Sequence, residues 1–256
     1  MKKSTITAIL IAMFALLVTF AFTTPAAAQR VVKDWVVMTY VPDNNYTVPV
    51  PLPVTRIRGN GVSFEFYPTP DRALLIAEIE SDAQFQRGKL IGKTLSAHIA
   101  IEATPGATFN YFNNDGTGSL QGGWADPGGF VRFYFNKVNT PGCPTGWHPE
   151  RPDCEAQYWW SNPVHIDLAD LAALGSEGTT LEVPLDPAFW SDRDGHMGTD
   201  TTSTTVNHTA AFYAAVANMK RIGLSFGGDG WWAFGCGVND PGDATFNLYK
   251  FMAKSP

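Results

Sequence analysis

Arg221-Ile-Gly-Leu-Ser-Phe-Gly-Gly-Asp-Gly-Trp-Trp-Ala-Phe-Gly-Cys-Gly-Val238, Asn239-Asp-Pro-Gly-Asp243 and Ala244-Thr-Phe-Asn-Leu-Tyr-Lys-Phe251 form the stretch that decides the fold class. Two runs of alternating side chains flank a turn made of Asn, Asp, Pro and Gly. A period of two gives a strand one buried and one wet face. Ile222, Leu224 and Phe226 share one face. On the return run, Thr245, Asn247, Tyr249 and Phe251 share one face, and Phe246 and Leu248 the other. The pattern predicts a closing antiparallel hairpin and an all-β domain.

Working backwards, the chain reads as strand after strand. Gly61–Tyr67, Ala73–Glu80, Thr94–Ala103, Thr108–Phe112, Phe130–Val138, Tyr158–Ile166 and Thr179–Pro184 each carry an apolar face or run. Pro49, Pro51 and Pro53 deny their segment ladder hydrogen bonds, which predicts an edge or a covering strap. Asp167 and Asp186 are placed to cap short helical turns. Thr209–Met219 is the one clear helix, after Asn207 or Thr209 as cap, with Phe212, Val216 and Met219 as its stripe. Many strands against one short helix predict a two-sheet antiparallel β-sandwich.

The N-terminus predicts export. Met1-Lys2-Lys3, an apolar run from Ile6 to Phe22, and Pro25-Ala26-Ala27-Ala28 form the three regions of a secretory signal, expected to be cut before Gln29. That makes 1–28 a signal peptide and 29–256 a single domain, with 29–60 an extended lead-in. Lys2 and Lys3 leave with the signal, so the 18 basic residues become 16 against 24 acidic, a balance of −8. So acidic a chain has no electrostatic reason to bind nucleic acid or an anionic membrane. After cleavage no span is expected, and the protein is placed in the periplasm or outside the cell. In such an oxidising compartment Cys143 and Cys154, which bracket a proline-rich loop, are expected to pair. Cys236 reads as a small buried hydrophobe.

The segments Val183–Ser191, Phe212–Asn218, Arg221–Gly228 and Ala244–Leu248 resemble bacterial secreted proteins with the jelly-roll, galactose-binding-like fold of many carbohydrate-binding modules. The resemblance implies a jelly-roll sandwich and carries over no catalytic residue.

Aromatics make up 13 % of the chain. Sugars stack their C–H faces on indole and phenol rings, and polar neighbours bind their hydroxyls. Tyr111, Trp124, Trp147, Trp160, Trp231 and Trp232 are therefore the candidate ligand platforms, and core packing is the rival role for each. Trp159 and Trp160 are adjacent in a strand, so at most one of them is expected in the core. Glu65, Glu78, Glu80 and Glu102 lie on strands, but nothing in their spacing makes a hydrolase pair. The oxygen-rich turns Asn113–Gly116 and Asn239–Asp243 read as turn chemistry, with structural Ca²⁺ the alternative. Asp192-Arg-Asp194-Gly-His196 has the residue types of a metal or acid–base cluster, but its polar loop predicts a solvated turn. The remaining histidines, His98, His148, His165 and His208, are scattered. The expected function is carbohydrate binding without catalysis, with no cofactor. The alternatives are an adhesive or structural surface protein and, third, a polysaccharide hydrolase.

Overall fold

The chain divides into two units, Met1–Arg30 and Val31–Pro256. The computed structural model describes residues 35–43, 46–52, 54–57, 61–66, 68–69, 73–80, 89–112, 124–125, 128–137, 158–203, 205–228, 235–239 and 241–255, all in the second unit. The predicted signal peptide, the Cys143–Cys154 pair, Trp147, Trp231 and Trp232 lie outside these residues. Among the described residues no helix is long and apolar enough to cross a membrane.

Strands dominate. They are β1 (Trp35–Asp43), β2 (Tyr46–Leu52), β3 (Thr55–Arg56), β4 (Val62–Glu65), β5 (Pro68–Thr69) and β6 (Ala73–Glu80). Then come β7 (Thr94–Ala103), β8 (Phe109–Phe112), β9 (Trp124–Ala125), β10 (Phe130–Lys137), β11 (Tyr158–Ser161) and β12 (Ile166–Asp167). The rest are β13 (Thr179–Pro184), β14 (Trp190–Asp192), β15 (Met219–Gly227), β16 (Cys236–Asn239) and β17 (Ala244–Lys254). Among the described residues two α-helices interrupt them, α1 (Leu168–Ala173) and α2 (His208–Ala217).

One sheet has five strands in the order β13-β7-β17-β4-β3, and the other has twelve along a β14-β11-β10-β15-β6-β16-β8-β9 path. All pairs are antiparallel except the short β16–β5 contact. The two inner faces share one core. Phe64 and Phe246 of the smaller sheet meet Phe226 of the larger edge-on, at 5.8 and 4.9 Å between ring centres. Phe251 reaches across in the same way to Trp35 and Phe133. Rings that cross the gap edge-to-face bind the sheets beyond their area burial. At one end α2 lays Phe212 against Phe135, Trp159 and Trp190, all fully buried.

The local readings that rest on backbone chemistry agree with this fold. Asp167, Asp186 and Asn207 each accept a backbone N–H at the start of their helical turn. Among the described residues β2 pairs with β1 alone, as its prolines lead one to expect. Cys236 is fully buried, and burial pushes its thiol far above the usual range.

Three expectations are corrected. First, the predicted closing hairpin does not form. β15 pairs with β10 and β6, whereas β17 pairs with β7 and β4 in the other sheet. The Asn239–Asp243 turn carries the chain from sheet to sheet; alternation identifies a buried face but not the neighbour that covers it. Second, Phe251 does not share a face with Thr245, Asn247 and Tyr249. The β17–β7 register slips between Leu248 and Lys250, and this bulge turns Phe251 into the core. Third, the Tyr158–Ile166 run breaks into β11 and β12 around Asn162-Pro163.

Candidate functional site

Two regions gather polar side chains, and they differ in kind. The first is an open groove of 430 Å³ on the outer face of the five-stranded sheet, lined by Ser96, His98, Thr180, Tyr249, Lys250, Met252 and Lys254. The bulge that buries Phe251 also builds this groove, because it places the neighbours Tyr249 and Lys250 on the same outer surface. A bulge commonly re-aims side chains in this way beside functional sites. The Tyr249 hydroxyl donates to the Ser176 carbonyl at 3.1 Å, which fixes the ring. Burial, then the nearby Glu102, push this phenol above its ordinary range. The His98 ring lies 5.4 Å from the Tyr249 ring, and its Nδ1 is 3.2 Å from Thr180 Oγ1. Glu182 accepts from Lys254 Nζ and, at 2.9 Å, from Ser96 Oγ. These two hydrogen bonds hold the Glu182 carboxyl below its usual range, so it stays a charged acceptor.

The second region is a tight hairpin and the helix seated on it. β14 runs out at Asp192, and the chain returns through Gly195, whose φ of +88° is the left-handed turn geometry that glycine supplies. Ser191 bridges Met197, and the Gly198 N–H donates to the Trp190 carbonyl at 2.8 Å. Asp192 Oδ1 accepts the backbone N–H groups of Asp194 and His196 at 3.0 and 2.9 Å, so the loop is wound on this carboxylate. Thr209 Oγ1 donates to the Gly198 carbonyl at 2.7 Å and ties the first turn of α2 to the hairpin. This docking brings His208 over the loop. Its Nδ1 lies 3.1 Å from Asp192 Oδ2, its ring centre lies 4.6 Å from that of His196, and His196 Nδ1 is 3.6 Å from Asp192 Oδ1.

Burial is extreme here. Asp192 is 1 % exposed and His208 2 %. Desolvation pushes the Asp192 carboxyl up, while the His196 N–H and the two imidazoles pull it down. Asp200, whose carboxylate accepts from the Thr202 N–H at 2.7 Å, is held low by that residue first and by the same two imidazoles last. The expectation of a solvated turn at 192–196 fails at its first residue. The hairpin wraps Asp192 inside its own backbone, and α2 covers it.

The aromatic candidates fare unevenly. Trp160 is 4 % exposed, lies between Tyr134 and Tyr158, and donates Nε1–H to Ser225 Oγ at 3.2 Å. It is a packing residue with a satisfied indole, not an open platform. Trp159 is buried as well, so both tryptophans are interior, one on each face of β11. Tyr111 is half-buried, with its ring edges close to Gly128 and Gly228; a Cβ at Gly228 would come within 2.0 Å of the ring. Trp124 sits on β9, opposite Phe112. Among the other candidates, Glu65 is exposed on β4, and Glu102 accepts from Asn247 Nδ2 at 2.9 Å. Asn239 spends its oxygens on the N–H groups of Thr108 and Gly242, as turn chemistry requires.

Tyr249 and His208 were absent from the sequence candidates. Alternation alone places Tyr249 on one strand face with Thr245, Asn247 and Phe251 and does not single it out. His208 carried no signal, because only the docked helix joins it to Asp192. No protein-family model matches this chain significantly, and neither a curated protein nor a solved structure does so.

Proposed function

We propose that the chain is an exported, non-catalytic binding protein, that its ligand is carbohydrate, and that the ligand lies along the outer groove of the five-stranded sheet. The single observation that carries this reading is the bulge at Tyr249, which sets a pinned phenol ring beside an imidazole in a groove rimmed by hydroxyls, ammonium groups and a carboxylate. A sugar needs this combination: a ring for its C–H face and donors and acceptors for its hydroxyls. The groove is of ligand size, since small-molecule sites run from about 300 to 1,000 Å³. Glu182 is engaged by Lys254 and Ser96 and stays ionised, which suits an acceptor and not a general acid. Two packed antiparallel sheets, with the last strand inserted between two earlier ones, fit the jelly-roll arrangement. The apolar N-terminal run after Lys2-Lys3 is the support for export.

A glycan-array screen of the purified chain tests the reading. Saturable binding to a glycan, weakened by Tyr249→Ala, is the expected result. An array without signal, or a signal indifferent to Tyr249→Ala and His98→Ala, would turn the reading towards a structural surface protein. Release of reducing ends would turn it towards a hydrolase.

A further inference from the structure

We infer that Asp192, His196 and His208 form a binding site for a divalent transition-metal ion of the zinc type, which clips the 192–207 loop to the start of α2. The inference is independent of the carbohydrate reading. Two observations carry it. The first is the donor set: one carboxylate oxygen and two imidazole nitrogens, all within 4.8 Å of one another. The second is His208 itself. Its side chain is 2 % exposed, and neither ring nitrogen makes a hydrogen bond. Asp192 Oδ2 lies 3.1 Å from Nδ1, an ion-pair contact and not a hydrogen bond. A buried imidazole without a hydrogen bond at either nitrogen costs free energy unless something else satisfies it. A metal ion does so directly, by taking the lone pair of one nitrogen.

The donors select the ion. Two imidazoles and a carboxylate suit zinc and its first-row neighbours, whereas Ca²⁺ asks for six to eight oxygens. Zinc takes its nitrogen and oxygen ligands at about 2.0–2.2 Å, so tetrahedral donors stand roughly 3.3–3.5 Å apart. Closing the donors from within 4.8 Å to that spacing takes a contraction of at most roughly 1.5 Å. The His196 side chain is 41 % exposed and gives this half of the site room to move and an opening to water. Three protein ligands leave the fourth position open on that side, to a solvent molecule.

The groups that would hold these ligands are already in place. Asp192 Oδ1 holds two backbone N–H groups, which fix the carboxylate and leave Oδ2 facing His208. Thr209 anchors the helix turn that carries His208. Asp200, which feels both imidazoles, adds negative charge beside them. Outer partners of this kind orient ligands and raise affinity.

The test is calorimetric titration of the chelator-stripped chain with Zn²⁺, and with Co²⁺ for its ligand-field spectrum. Tight binding of a single equivalent and a tetrahedral Co²⁺ spectrum are expected, with a higher thermal midpoint for the Zn²⁺ form. His196→Ala, at a half-exposed position where folding is safe, should weaken Zn²⁺ binding more than about 100-fold, beyond what a lost outer-shell partner costs. His208→Gln should do the same. The inference falls if Zn²⁺ produces no heat and no shift in midpoint, if both variants bind as the parent does, or if Ca²⁺ binds in its place.

Discussion

The outer groove and the Asp192 hairpin use the same residue types to opposite ends. In the groove, Ser96, Glu182 and Lys254 satisfy one another and His98 meets Thr180; Glu182 and Lys254 are open to solvent, while Ser96 is buried at the groove floor. The His98–Thr180 and Lys254–Glu182 contacts are exposed, so these groups can exchange a partner for a ligand hydroxyl at little cost. In the hairpin, Asp192 and His208 are sealed from water, and the imidazole has no hydrogen bond to exchange. Exposure makes polar groups adaptable, whereas burial makes them committed. The first suits reversible recognition, the second a fixed role in shape.

The widest separation between the two regions should come from Asp192→Ala. It strips an acceptor from two backbone N–H groups and the carboxylate 3.1 Å from His208, so a loss of about 3–5 kcal/mol is expected in urea denaturation. A loss below 1 kcal/mol would make the hairpin as forgiving as the groove. Tyr249→Ala should do the reverse: glycan affinity falls about tenfold, or ~1.4 kcal/mol, with the denaturation midpoint nearly unmoved. A folding defect of similar size would show that the ring is structural. Thr209→Val keeps the shape of the side chain and removes its bond to Gly198. About 1 kcal/mol of stability should go, and Zn²⁺ affinity with it. Unchanged affinity would mean that His208 is positioned without this tether.

The smallest effect concerns Glu182. Its folded pKa is depressed by Lys254 and Ser96, so its contribution is present above the ordinary carboxylate range and disappears as pH falls through the lowered value. The stability difference between the parent and Glu182→Gln should therefore be slight at neutral pH and vanish in acid. A difference that grew on acidification would contradict the assignment. Screening at this exposed position keeps the effect small, and added salt should erase it.

What the sequence could reveal followed the range of each interaction. β7 and β13 are legible to the residue, since their alternation is a local fact of one strand against one core. The caps at Asp167, Asp186 and Asn207 are legible because the capping bond spans only two or three residues. The crossing of β17 to the other sheet was not legible, because strand partnership is decided by the whole fold. Nor was the Tyr249 bulge. A bulge has no signature in the composition of β17 and shifts only its phase, so simple alternation puts Phe251 on the wrong face and does not show the groove. In the metal cluster, Asp192, Gly195 and His196 were visible as a loop motif. Their burial, and the arrival of His208, depend on α2 docking through Thr209. Trp160 shows the same limit from the other side: adjacency in a strand separates two indoles onto two faces, but both faces of β11 prove to be covered.

Glycan binding measured side by side for the parent, Tyr249→Ala and His196→Ala tests the division between the two regions most directly. Recognition in the groove and shape in the hairpin require that binding drop about tenfold in Tyr249→Ala and persist in His196→Ala. Binding that survives in Tyr249→Ala and disappears in His196→Ala would reverse the assignment and place recognition at the buried cluster.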